Sequence, residues 1–313
     1  MADKISIKQV EEALIRAGYL LESRLDGILR ENGFYVDANS AYLDSETGKS
    51  RELDLYAMGG HQVGSHEYEF IFSVLLIEAV NNPQPIAFLT KESQVNFLHH
   101  EDIKAAGLPV KFPDKTSRNG WVCLSEHLKM NEYHHYCQGR VATQYCSFTQ
   151  KKNDSGNKEW MAFHEETHFN SFRTLSVAVE YYKDYLYRGW NKDSTNNLNI
   201  EFHYPIVVLQ GELLEIQQDK GEVNIQLVDH IQYRRTSIVN TRETNYQIDV
   251  VTERYFPEFL KMIGAELEHT AGLLDKNYAS VRAAINTIIK QAKQAHTFDE
   301  VKATFDFDLQ SRK

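Results

Sequence analysis

Phe70-Ile71-Phe72-Ser73-Val74-Leu75-Leu76-Ile77-Glu78-Ala79-Val80-Asn81-Asn82 constrains this chain more than any other stretch. A short, continuous apolar run bounded by polar and turn residues reads as a strand buried on both faces. Such a strand needs layers of structure above and below it, so the chain must build a sheet covered on two sides. The run ends on a carboxylate and two amides. A carboxylate there is costly to desolvate unless a cation or donor meets it. Glu78 is therefore a site candidate; the plain alternative is a strand reaching solvent at that point.

The flanking pattern supplies the rest of a mixed sheet. Leu14, Gly18, Leu21, Leu25 and Ile28 recur at helical spacing and predict one helix over 5–30, ended by Asn32-Gly33. Phe34 to Leu43 reads as a strand, with a turn over 44–49. Leu53, Leu55 and Ala57 alternate with Glu52, Asp54 and Tyr56, so a second strand carries its acids on one face. Asn82-Pro83-Gln84-Pro85 breaks the buried run, and 86–89 resumes as a short fourth strand. Further on, the pattern predicts a short helix over 124–132, a long helix over 163–188, and strands over 200–216, 223–233 and 246–252. Closing helices are expected over 256–274 and 279–295. The expected class is α/β or α+β: a mixed central sheet flanked by helices, with a large insertion and extra C-terminal helices. We divide the chain into a core over 1–120, a helical insertion over 121–195, and strands with closing helices over 196–313, in one domain.

Composition narrows the function classes. No segment approaches the roughly eighteen consecutive apolar residues of a membrane span. Three cysteines (Cys123, Cys137, Cys146) form no disulfide framework and, with an N-terminus lacking a signal pattern, lead us to expect a cytoplasmic protein. The net charge of −10 opposes nucleic-acid binding through overall charge, though a local basic groove is compatible with it.

Glu22 on the first helix, Asp54 on the second strand and Glu78 at the end of the third form a candidate acid cluster. Oxygen ligands of this kind suit Mg²⁺ or Mn²⁺, which activate water and stabilise charge developing on a phosphodiester. Four pieces carry a specific likeness: Gly18-Tyr19-Leu20-Leu21-Glu22, Gly33-Phe34-Tyr35-Val36, Lys49-Ser50-Arg51-Glu52-Leu53-Asp54, and Leu76-Ile77-Glu78-Ala79-Val80-Asn81-Asn82-Pro83-Gln84-Pro85. Together they resemble the core of the PD-(D/E)XK restriction-endonuclease-like superfamily over residues 18–90. The resemblance implies a Mg²⁺- or Mn²⁺-dependent DNA endonuclease, of the kind found in bacterial restriction or anti-phage defence. Asp54 and Glu78 take the places of the motif acids and metal ligands, and Glu22 that of the helix glutamate. DNA is the implied partner, with a homodimer or a larger defence-system complex as the assembly and no membrane. Family members carry lysine two residues after the glutamate, where this chain has Val80. Lys49 and Lys91 are the nearest replacements by sequence. A catalytically dead subunit that binds DNA or protein is the alternative reading.

Lys49, Arg51, Asn81, Gln84, Lys91, Arg234 and Arg235 are the candidate DNA contacts, the last two within Tyr233-Arg234-Arg235 and near Arg242. A rival motif, His164-Glu165-Glu166-Thr167-His168, fits the H-E-x-x-H pattern of a zinc hydrolase if both histidines share a helix, with Glu180 as a poorly spaced third ligand. His99-His100 and His134-His135 with Cys137 and Cys146 lack paired C-x-x-C spacing, and packed or surface histidines are the simpler reading.

Overall fold

The computed structural model describes residues 4–17, 19–45, 47–92, 102–118, 120–152, 157–164, 166–188, 196–239 and 242–305. Two helices, α1 (Ile7–Ala17) and α2 (Tyr19–Glu31), stand where the spacing predicts one. Ser6 opens α1 with a capping box: Gln9 N–H donates to Ser6 Oγ, and Ser6 N–H donates to Gln9 Oε1. In α2, Leu21, Leu25 and Leu29 form one buried stripe. The chain leaves α2 through Gly33, whose φ of 83° suits a residue without a Cβ.

An antiparallel meander follows: β1 (Tyr35–Leu43), β2 (Ser50–Gln62) and β3 (Phe70–Asn81). Next come β4 (Ile86–Glu92), β5 (Lys104–Leu108), β6 (Lys111–Pro113), β7 (Trp121–Cys123) and α3 (Leu124–His127). Two 3₁₀ turns at 130–132 and 135–137 lead into β8 (Arg140–Lys152), β9 (Lys158–Phe163) and the long α4 (Glu166–Arg188). The chain closes with β10 (Asn199–Gln210), β11 (Leu213–Asp219), β12 (Glu222–Val228), β13 (His230–Val239), β14 (Arg242–Thr252), α5 (Phe256–Lys276), α6 (Tyr278–Ala292) and α7 (Phe298–Phe305).

The strands form one mixed twelve-stranded sheet, in the order β1-β2-β3-β10-β14-β13-β8-β4-β11-β12, with β5 added to β10 and β9 to β8. β6 and β7 make a separate small pair. β3 runs parallel to β10 along its whole length, from Phe70 opposite Asn199 to Asn81 opposite Gln210. Parallel neighbours require a crossover, and α4 lies on the path into β10.

Helices cover both faces, as the apolar run of β3 requires. Ile71, Leu75 and Ile77 join one core with Leu21, Leu25 and Leu29 of α2 and the inner faces of α5 and α6. Val74, Leu76 and Val80 join a second core with Phe172, Leu175 and Ala178 of α4. Period-two alternation along one strand thus feeds two separate apolar layers.

Several expectations change in detail. The run over 200–216 is two strands, β10 and β11, parted near Gly211, where a Cβ would sit 2.5 Å from the Asn82 carbonyl oxygen. The run over 223–233 divides between β12 and β13. β4 extends to Glu92 and pairs with β8 and β11. Residues 121–195 contribute β7, β8 and β9 as well as α3 and α4, and strands from all three sequence intervals share the large sheet. Among the described residues, no helix is long and apolar enough to cross a membrane.

Candidate functional site

The ladder between β2 and β3 ends at the pair Leu55–Ile77. Continued one step, that register sets Asp54 opposite Glu78, where the two strands part. On the other side of β2 the pairing with β1 passes over Asp54 and Asn39, and Asn39 adopts a left-handed φ of 54°. Asp54 uses the opening: its Oδ2 accepts the N–H of Ala79 at 2.8 Å. Glu78 accepts a hydrogen bond from the Ser171 hydroxyl of α4. Glu22, in the first turn of α2, lies close enough to Asp54 for their charges to interact.

The pKa values of all three acids are raised. Burial, then the charges of Asp54 and Glu22, push the Glu78 carboxyl up to about 9 against the pull of Ser171. Burial raises Asp54, opposed by the Ala79 N–H. Burial and then Asp54 raise Glu22. Among the described residues, none of the three is ion-paired to a lysine, arginine or histidine. Carboxylate oxygens are the ligand type that a hard divalent ion takes, but among the described residues the ligand atoms of the three acids do not all lie within 4.8 Å of one another.

The lysine position is occupied otherwise. Val80 is 8% exposed and packs in the α4-side core with Tyr42, Leu53 and Leu76. Lys91 lies on β4, five strand spacings or roughly 24 Å across the sheet from β3. Lys49 is exposed in the turn before β2. Arg51 donates from Nε to the buried Asp44 Oδ2 at 2.5 Å. Asn81 donates to the Ile15 carbonyl at 2.9 Å, tying α1 to the end of β3, and Gln84 is half-buried beyond it. Arg234 and Arg235 are not one patch, because adjacent strand residues face opposite sides. Arg234 Nε sits 3.0 Å from Asp102 Oδ2 in an ion pair without hydrogen-bond geometry, while Arg235 donates to Ser237 Oγ.

Protein-family models, curated proteins and solved structures were compared with the chain, and none matches.

A second polar cluster escapes the sequence pattern except for its histidine doublet. His134, His135 and Glu266 are the set of three metal-ligand types, among the described residues, whose ligand atoms all lie within 4.8 Å of one another. That proximity could serve a metal, but the protons are placed for an ion-pair network. His134 Nδ1 accepts the Tyr136 N–H at 3.2 Å, which puts the ring proton on Nε2, 3.9 Å from Glu266. His135 Nδ1 lies 2.9 Å from Glu266 Oε2 and its Nε2 3.3 Å from Asp249 Oδ2. As arranged, neither ring offers a lone pair to a cation. Asp249 also accepts from the Tyr136 hydroxyl at 2.9 Å and meets His230 Nε2 at 2.8 Å. Burial opposes charge on His135, but Asp249 and Glu266 overcome it and raise its pKa to about 10. Burial drops the pKa of His134 to about 4, so it stays neutral.

The zinc motif loses its helical premise. His164 lies in the extended link after β9, edge-on to Tyr145, and the described part of α4 starts at Glu166. Glu165 and the His99-His100 pair lie outside the described residues. Cys123, Cys137 and Cys146 are not in disulfides, and burial pushes Cys137 up to about 12, far from a ready metal ligand.

Proposed function

We propose that the chain is a metal-dependent phosphodiester hydrolase of the restriction-endonuclease-like type, acting on DNA in a bacterial restriction or anti-phage setting. One observation carries the reading. Asp54 and Glu78 stand one step beyond the end of the β2–β3 ladder, Glu22 is near enough to share their field, and among the described residues no protein cation is ion-paired to any of the three.

In this reading Asp54 and Glu78 hold Mg²⁺ or Mn²⁺, and the ion supplies an activated water and charge stabilisation at the phosphate. The protein's own contribution is orientation. Ala79 N–H fixes Asp54, Ser171 fixes Glu78, and Glu22 adds negative charge from the α2 side. The net charge of −10 requires DNA to be met locally, which favours the guanidinium groups near α4 over the surface at large.

Val80 favours a second reading, a non-catalytic subunit of the same type that binds DNA or protein, as a homodimer or in a larger complex. An isopropyl group in an apolar core neither holds a water nor offsets phosphate charge. Calorimetric titration with Mn²⁺ tests the site common to both. Binding should occur in the wild type and vanish in Asp54→Ala and Glu78→Ala; binding retained in both variants places the ion elsewhere.

A further inference from the structure

Beside the acids, the first turns of α4 and the start of β2 enclose a recess of about 20 Å³, lined by Arg51, Asn170, Arg173, Thr174 and Val177. It admits one or two water-sized atoms and excludes a nucleobase. Residues 170, 173, 174 and 177 share one face of the helix. Ser171, which donates to Glu78, belongs to the same turn. Tyr42 ties recess and acids together: its hydroxyl donates to the Thr174 carbonyl at 3.2 Å, and the same phenolic oxygen is close enough to feel both Glu78 and Arg51.

The cations here are anchored. Asp44, fully buried, takes Arg51 through Nε, the inner edge of the guanidinium. Arg235, half-buried on the α4 side of β13, lies near Arg173: burial lowers its pKa, and the charge of Arg173 adds to the effect. Arg173 and Arg235 lie within each other's field, and Arg173 brings that positive charge to the lining of the recess, which favours an anion there.

We propose that the Arg51–Arg173 recess receives a backbone phosphate oxygen of a polynucleotide strand, next to the Asp54–Glu78 acids, and supplies the positive charge that Val80 cannot. The inference rests on the phosphodiester reading and deepens it. Recognition through a recess this small is independent of base sequence. Arg173 acts as a positioning residue, holding the strand while the acids face the neighbouring phosphate.

Fluorescence anisotropy with a labelled 20-base-pair duplex, in Ca²⁺ and over a series of salt concentrations, tests it. Arg173→Gln should weaken binding about tenfold on unrelated sequences and reduce the slope of log K against log salt by about one. Arg173→Lys should recover the slope, which a merely structural role would not explain, and a neutral methylphosphonate duplex should be insensitive to either change. Mn²⁺ affinity and the circular dichroism spectrum should match wild type in both variants. Wild-type affinity and slope in Arg173→Gln, with Mn²⁺ binding still lost in Asp54→Ala, overturns the recess and leaves the acid site standing. A tenfold loss in Arg173→Gln in a protein that binds no Mn²⁺ supports the recess and removes the metal reading instead.

Discussion

Just beyond the last β2–β3 pair, Leu55–Ile77, Asp54 reaches across to β3 and accepts the Ala79 N–H at 2.8 Å, close enough to Glu78 for its charge to act on that carboxyl. The main-chain donor is therefore spent on positioning a carboxylate. Glu78 then lies under α4, within reach of Ser171, and the site belongs to two elements far apart in sequence.

Val80→Lys is the most informative single change. Val80 shares a strand face with Glu78, so a lysine there can pair with the acids. Burying the stem and ammonium in the α4-side core should cost roughly 1–3 kcal/mol, measured by urea unfolding. DNA cleavage in Mn²⁺ should rise at least tenfold over wild type. A loss of stability with no gain in rate would show that position 80 does not face the scissile phosphate.

His135 links the 3₁₀ turn at 135–137 to α5 and β14 through Glu266 and Asp249, the latter fully buried. His135→Gln should cost about 3–5 kcal/mol at pH 7, because both carboxylates remain buried without their cation. The pH dependence has a definite sign. Since the folded pKa of His135 is about 10 against 6.5 for the free side chain, its contribution is complete below pH 6.5 and is lost as pH rises through 10. Wild-type melting temperature should therefore decline over that alkaline range, and the variant should decline less. Equal slopes for the two proteins would mean that the imidazole is neutral in the native state.

The strand positions of Asp54 and Glu78 are legible in the sequence, since Asp54 alternates with apolar strand residues and Glu78 closes a buried run. The nearness of Ser171 and Arg173 to these positions is not. Arg173 and Ser171 lie on the crossover helix, and only the pairing of β3 with the distant β10 brings α4 over Glu78. Arg234 and Arg235 read as a patch because they are adjacent, whereas strand geometry sends them to opposite faces. The split of 200–216 at Gly211 leaves no mark in an apolar run; it reflects the close approach of the Asn82 carbonyl, set by tertiary packing. The His134-His135 doublet is visible, but Glu266 and Asp249, which decide its chemistry, are joined to it only by the fold.

Gly107 marks a close approach of β5 to β10. It pairs with Ile200 of β10 at φ 111°, and a Cβ would meet the Asn199 carbonyl oxygen at 1.9 Å. Gly107→Ala should cost roughly 3 kcal/mol or more by chemical denaturation, through both strain and clash. Gly221→Ala, also at positive φ but in open space, should cost less. Equal costs would mean that β5 does not press on β10 as described.

The most direct measurement is cleavage of supercoiled plasmid DNA by the wild-type chain in Mn²⁺ or Mg²⁺, with Asp54→Ala alongside. Metal-dependent nicking or linearisation that disappears in Asp54→Ala is the expected result. Cleavage that persists in Asp54→Ala, or a wild type that leaves the plasmid intact with either ion, contradicts hydrolysis at the Asp54–Glu78 site.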